Sequence, residues 1–121
     1  MTGMTEGLAG RRVLLVEDEY FIADDAARVF KAGGAEVIGP VASVDGALAL
    51  LADTPGLDGA VLDINLRGEM AYPVADALAA RGVPFVFATG FDETTIPARY
   101  AAVTRCEKPV DPQAIAKALF P

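Results

Sequence analysis

The sequence predicts an α/β fold in which helices cover both faces of a five-stranded parallel sheet. Five short apolar runs recur along the chain, and segments with helical spacing follow them. The runs are nearly continuous in apolar residues, which is typical of strands covered on both faces. Parallel neighbours need crossover connections, and the intervening helices supply them.

The first two strand–helix units are the most regular. Strands are predicted over residues 12–17 (RVLLVE) and 35–40 (AEVIGP). The helix between them ends at Gly33-Gly34. Its apolar face consists of Ile22, Ala26, Val29 and Phe30. A second helix is capped by Ser43. Its stripe consists of Val44, Ala47, Leu48 and Leu51.

The third and fourth strands are predicted over residues 59–64 (GAVLDI) and 83–90 (VPFVFATG). A helix begins at Tyr72-Pro73, and Gly82 ends it before the fourth strand. Its apolar residues are Val74, Ala77 and Leu78.

The last unit has the weakest pattern. Residues 101–107 (AAVTRCE) are predicted as the fifth strand. Asp111-Pro112 then provides an N-cap and a first-turn proline for a helix with Ile115 and Leu119 on its apolar face. Alternation of this kind favours a flavodoxin-like sheet with strand order 2-1-3-4-5.

Composition restricts the function. With 10 basic and 17 acidic residues the net charge is −7, which repels nucleic-acid phosphates. The chain has no histidine, which excludes a Ser-His-Asp triad and histidine metal ligation. The single Cys106 cannot form an internal disulfide.

Chain organisation is predicted to be simple. Residues 1–10 are expected to be a flexible segment and residues 11–121 a single domain without an output domain. No apolar run approaches the ~20 residues needed to span a bilayer, and the amino-terminal stretch does not resemble a secretion signal. We therefore expect a cytoplasmic protein that does not bind membranes.

Five polar residues end or follow predicted strands: Glu17, Asp18, Asp63, Thr89 and Lys108. The carboxyl ends of parallel strands share one edge of the sheet, so we expect these residues to face one crevice. Three close carboxylates repel one another unless a cation neutralises them, and such oxygen ligands suit Mg²⁺. Asp63 could then be a nucleophile in phosphoryl transfer, with Thr89 donating to one phosphoryl oxygen and Lys108 pairing with another.

Each residue also has a structural interpretation. Glu17 and Asp18 could cap the next helix, and Thr89 could be a turn residue. Asp63 could be a satisfied turn-forming residue, although a carboxylate inside an apolar run costs several kcal/mol unless it is paired. Lys108-Pro109 could be a solvated loop, or a cis bond that aims the lysine. The combination favours the chemical interpretation more than any single residue does.

Four ordered motifs resemble the receiver domains of bacterial response regulators over nearly the whole chain. They are VLLVEDE, VLDINL, FATG and EKP. The resemblance implies a phosphoacceptor signalling protein rather than an enzyme acting on other substrates, with Asp63 as the phosphoacceptor. It also implies that Asp18, Asp63 and the main-chain carbonyl of Asn65 bind Mg²⁺, with Glu17 supporting through water.

The stretch VPFVFATGF is similar to the motif of the stand-alone subfamily called FAT GUY receivers. Phe91 stands where that motif has tyrosine, and Arg105 stands where receivers usually have an aromatic residue three positions before the lysine. The resemblance implies Thr89 as the switch hydroxyl and Lys108 as the counter-charge of the phosphate. It further implies an HWE-type or related histidine kinase, or a phosphotransfer protein, as partner. We expect a monomer or a weak dimer.

Two other functions are compatible with parts of the pattern. A haloacid-dehalogenase-type phosphatase uses a similar strand-end aspartate, but it needs a second Asp where this chain has Asn65. A pseudo-receiver would bind protein partners without the chemistry. Labelling separates the three, since only a receiver keeps phosphate on Asp63.

The segment after the fourth strand is predicted to transmit the signal. Pro97 and three successive β-branched residues disfavour a regular helix over residues 91–101. We expect Thr89 to move toward the phosphoryl oxygen and to pull Gly90 and Phe91, reordering this segment for a partner. The alternative is an ordinary rigid helix.

Overall fold

The structure is a computed structural model that describes residues 7–90 and 96–121. In chain order its elements are β1 (Arg12–Val16), α1 (Tyr20–Ala32), β2 (Glu36–Val41), α2 (Val44–Ala52), β3 (Gly59–Asp63), β4 (Asn65–Leu66), β5 (Glu69–Met70), α3 (Tyr72–Ala80), β6 (Phe85–Thr89), a 3₁₀ turn (Ala98–Tyr100), β7 (Arg105–Glu107) and α4 (Pro112–Leu119).

The main sheet has five parallel strands in the order β2-β1-β3-β6-β7. Since β6 and β7 are its fourth and fifth strands in sequence, the predicted flavodoxin-like order 2-1-3-4-5 is confirmed. β4 and β5 form a separate antiparallel hairpin, which the sequence analysis did not predict.

Each face of the sheet carries its own hydrophobic core, because successive side chains of a strand point to opposite faces. On β1, Leu14 and Val16 pack on the side of α2 and α3, whereas Val13 and Leu15 pack on the side of α1 and α4. The helices contribute buried residues from their apolar stripes. On the first side these include Val44, Ala47, Leu51, Val74 and Leu78, and on the second Ala26, Phe30, Ile115 and Leu119.

Side-chain hydrogen bonds cap the first turns of two helices at the predicted residues. The Ser43 hydroxyl accepts a hydrogen bond from the Gly46 amide, and the Asp111 carboxylate accepts one from the Gln113 amide, both at 3.0 Å. α1 ends at Ala32, and Gly33 is its C-cap, as expected. The N-caps predicted for α2 and α4 are therefore confirmed.

The fifth strand is much shorter than predicted. The prediction of a strand over residues 101–107 is wrong for its first half, since only Arg105–Glu107 is extended and Ala98–Tyr100 forms a 3₁₀ turn. The physical reason is Tyr100, whose buried ring packs against Tyr72, Phe85 and Phe87 and draws this segment toward the core.

Two further segments bear on the predictions. Within residues 96–101 the chain forms the short 3₁₀ turn and no α-helix, while residues 91–95 lie outside the described residues. Residues 7–10 form a turn in which Leu8 is fully buried, an anchor that the sequence analysis did not predict. In the described ranges, no helix combines the length and apolar character needed to cross a membrane.

Candidate functional site

The candidate site lies where four neighbouring strands end. β1 leads into Glu17 and Asp18, β3 ends at Asp63, β6 ends at Thr89 and β7 leads into Lys108. Because β1, β3, β6 and β7 are adjacent in the sheet, these ends meet at one edge. The structure thus brings together the five residues that the sequence analysis assigned to one crevice.

Three carboxylates form a tight cluster at this edge. Oxygens of Glu17, Asp18 and Asp63 all lie within 4.8 Å of one another. Glu17 and Asp63 are buried, with 5% and 8% of their surface exposed. Backbone amides orient both, since Asn65 donates to Asp63 at 3.2 Å and Glu19 donates to Glu17 at 3.0 Å. Burial of this much negative charge requires a cationic partner.

Lys108 supplies part of that positive charge. Its Nζ lies 2.6 Å from Glu17 Oε1 and 3.0 Å from Asp63 Oδ2. The Lys108 amide donates to the Thr89 carbonyl at 2.8 Å, and the Lys108–Pro109 bond is cis, as the sequence analysis considered. The pairing with Glu17 was not predicted.

The local environment changes the proton affinity of both groups. Burial raises the pKa of Asp63 to about 7; the hydrogen bond from Lys108 opposes this and the Glu17 charge adds to it. For Lys108, burial lowers the pKa, but the hydrogen bonds to Glu17 and Asp63 outweigh it and the net shift is upward. One lysine therefore does not neutralise the cluster, and three hard oxygen donors fit a divalent cation such as Mg²⁺.

A cavity of about 1030 Å³ opens beside the cluster. The residues that line it include the polar groups Asp18, Asp63, Asn65, Thr89 and Lys108. Residues of α1 between Phe21 and Val29 also line it. The cavity is thus large enough for a group from another molecule to reach Asp63.

The remaining predicted residues are placed differently. The Asn65 side chain accepts a hydrogen bond from the Gly68 amide at 2.6 Å and so holds the β4–β5 turn. Gly90 lines the cavity. Phe91 lies outside the described residues. Arg105 begins β7 opposite Phe87, two residues short of the carboxyl edge. The metal role of the Asn65 carbonyl and the switch roles remain predictions.

One residue near the site was missed by the sequence analysis. The Nε of Arg67 lies 3.5 Å from Oδ2 of Asp18. Arg67 and Gly68 both have positive φ, at 56° and 93°, and connect β4 to β5. The Arg-Gly pair after an apolar run could have indicated a turn, but nothing in the spacing indicated contact with Asp18.

Several solved structures are similar to this chain in overall fold. The solution structure of SdrG from Sphingomonas melonis Fr1 is 41% identical, with a TM-score of 0.78 over 95% of this chain and 96% of that one. The response regulator PhyR from Brucella abortus is 25% identical, with a TM-score of 0.73 over 93% of this chain and 49% of PhyR. The receiver domain of the hybrid histidine kinase CckA is 26% identical, with a TM-score of 0.68 over 88% and 93%. No family profile and no curated protein matches the sequence.

Proposed function

Because this chain belongs to the response-regulator receiver domains, we propose that it accepts a phosphoryl group on Asp63 and signals by a change of conformation. The observation that carries the proposal is the position of Asp63. Its carboxylate is buried beside Lys108 and two further acids, yet it lines a cavity open to another molecule. A purely structural aspartate has no need of that access.

The proposed reaction is a direct transfer. A carboxylate oxygen of Asp63 attacks the phosphorus of a phosphohistidine, the phosphorus–nitrogen bond breaks, and its electron pair stays with the donor imidazole. Lys108, 3.0 Å from Asp63, is placed to pair with a new phosphoryl oxygen, and the Thr89 hydroxyl is proposed to donate to another. The product is an acyl phosphate on Asp63.

Mg²⁺ is the proposed cofactor. The ligands would be Asp18, Asp63 and the main-chain carbonyl of Asn65, with Glu17 supporting through water; the clustered carboxylates support this set. The ion would offset the repulsion between an anionic phosphoryl group and the acids. These residues would hold that ion and would orient the attacking oxygen of Asp63.

The partner and the output follow from the same proposal. The phosphoryl donor would be a histidine kinase, HWE-type by resemblance, or a phosphotransfer protein, in the cytoplasm. A second solution structure of SdrG, 42% identical to this chain, is described as the BeF3-activated conformation. We propose that this chain also changes conformation when it is phosphorylated. The proposed switch consists of Thr89, Gly90, Phe91 and Arg105. We propose that the protein is a monomer or weak dimer that acts as a phosphate shuttle, a phosphate sink or a protein-binding switch.

The direct test is to incubate the protein with a radiolabelled small phosphodonor and to locate the label. We expect wild-type protein to be labelled only with Mg²⁺ present, Asp63→Asn to take no label, and Asp53→Asn to label normally. Asp53 is the matched control because it is an exposed aspartate at the end of α2. Because an acyl phosphate is labile, borohydride reduction of the phosphorylated aspartate should mark its position before peptide mapping. Equal labelling of Asp63→Asn, or turnover of free substrate without labelling, would reject the proposal.

A further inference from the structure

Arg67 occupies a backbone position that does not favour arginine. Asn65 pairs with Met70 and Leu66 with Glu69, so Arg67 and Gly68 are the two turn residues of the β4–β5 hairpin. Both have positive φ, the geometry of a type I′ turn, for which asparagine or glycine is the preferred first residue. An arginine here has an unfavourable backbone conformation, which contacts of its side chain must offset.

The Arg67 side chain adds a second positive charge beside the acidic cluster. Lys108 pairs with Glu17 and Asp63, and Arg67 pairs with the third acid, Asp18, at 3.5 Å. The Asp18 side chain is 9% exposed whereas that of Arg67 is 82% exposed. The guanidinium therefore reaches in from solvent toward a nearly buried carboxylate at the cavity that both residues line.

We propose that Arg67 is a positioning residue that competes with Mg²⁺ for Asp18 and so sets the metal concentration at which the site fills. This inference rests on the metal site of the proposed function and deepens it. A bound ion would bring two further positive charges to the Asp18 carboxylate that Arg67 contacts, and the ion and the guanidinium would repel each other. Removing the arginine should consequently favour the metal.

The size of the effect follows from distance and screening. With 3.5 Å from Nε to the carboxylate oxygen and about 2.1 Å from oxygen to Mg²⁺, the two cations would lie within about 6 Å. The repulsion of a unit charge and a divalent ion at that distance in water corresponds to about a tenfold change in affinity. Screening at 0.1 M salt reduces it to about threefold.

The experiment is a titration of the full chain with Mg²⁺ at 0.01 and 0.1 M salt, in which the chemical shifts of the amide groups are measured by NMR. Arg67→Ala should bind Mg²⁺ about threefold more tightly at 0.1 M salt and about sevenfold more tightly at 0.01 M salt. Arg67→Lys, which keeps the charge, should stay within about twofold of wild type. Arg67→Gly should reproduce Arg67→Ala, and since glycine accepts the positive φ it guards against a misfolded hairpin.

Lys117→Ala is the matched control for loss of one positive charge. Lys117 is exposed on α4, whose end packs near Gly59 at the opposite end of β3 from Asp63. The affinity of this variant for Mg²⁺ should not change. If both Arg67→Ala and Arg67→Gly bound Mg²⁺ no more tightly than wild type, the inference would be overturned while the metal site stood. A wild-type chain that bound no Mg²⁺ would overturn both.

Discussion

Both ends of β3 are buried, but they differ in what surrounds them. At the amino end, Gly59 lies so close to α4 that an added Cβ would come within 3.0–3.1 Å of Phe120 and Leu119. At the carboxyl end, Asp63 lies among Glu17, Asp18 and Lys108. Burial stabilises the fold at the first end and works against it at the second, where charges are removed from water.

This difference shows how the fold accommodates a charged edge. The apolar middle of the strand, residues 60–62, is fully enclosed by both cores, and such residues contribute about 1.5–3 kcal/mol each when large. The stability of this apolar middle offsets the cost of holding the acids together at the carboxyl edge. If so, core variants should lower stability at every pH, and edge variants should act in a pH-dependent way.

The largest expected effect is in the core. Phe87 is fully buried and makes edge contacts with Tyr72, Phe85 and Tyr100 at centroid distances of 5.7–6.3 Å. Phe87→Ala should lower the free energy of unfolding by about 3–5 kcal/mol, because it removes apolar burial and leaves a cavity. Urea denaturation measures this, with the exposed Met70→Ala as control. A loss below about 1 kcal/mol would contradict the assignment of Phe87 to a tightly packed core.

The second-largest expected effect is a gain in stability, at Asp63, rather than a loss. The pKa of Asp63 is raised from 3.8 to about 7, chiefly by burial, so the folded state holds the proton more tightly than the unfolded chain. The metal-free wild type should therefore lose stability as pH rises from about 4 to about 7. An asparagine side chain does not titrate, so Asp63→Asn should be more stable than wild type at pH 8, by up to about 4 kcal/mol, and nearly equal to it at pH 4.

Urea denaturation in EDTA at both pH values tests this prediction, and EDTA keeps any metal from masking the repulsion. Asp53→Asn, at an exposed position, is the control and should show little change at either pH. A destabilised Asp63→Asn at pH 8 would mean that the pairing with Lys108 outweighs burial and repulsion, which would erase the contrast between the two ends of β3.

The interior of the fold could be predicted because short stretches of sequence determine its strands and helix caps. Buried parallel strands leave continuous apolar runs, so β1, β3 and β6 could be placed within one or two residues. The caps at Ser43 and Asp111 leave a sequence signature as well. The β4–β5 hairpin has two-residue strands without any periodicity, and the shortening of β7 depends on where the ring of Tyr100 packs, so neither could be predicted.

The site was predictable in its members and not in its pairings. Strand ends follow from the apolar runs, and the topology brings Glu17, Asp63 and Lys108 to one edge. The ion pairs that join Lys108 to Glu17 and Arg67 to Asp18 depend on side-chain reach across different elements. Residue spacing carries no information on such distances.

The smallest expected effect concerns a polar group inside the core. Tyr100 is 4% exposed, and within residues 7–90 and 96–121 its hydroxyl has no hydrogen-bond partner. A buried hydroxyl without a partner is unfavourable, so Tyr100→Phe should raise the free energy of unfolding by about 1 kcal/mol. The ring contacts with Tyr72, Phe85 and Phe87 are kept. Tyr20→Phe, whose side chain is 77% exposed, is the control and should be neutral.

The pH dependence of this gain separates core from edge. A tyrosine hydroxyl does not ionise between pH 5 and 8, so the gain from Tyr100→Phe should be the same at both values, whereas the gain from Asp63→Asn should grow across that range. Urea denaturation of the two single variants and the double variant measures both effects. Additive gains would mean that the core and the carboxyl edge are independent. A loss of stability in Tyr100→Phe would show that the hydroxyl has a hydrogen-bond partner in solution. The core would then hold no unsatisfied polar group to compare with the buried charges of the carboxyl edge.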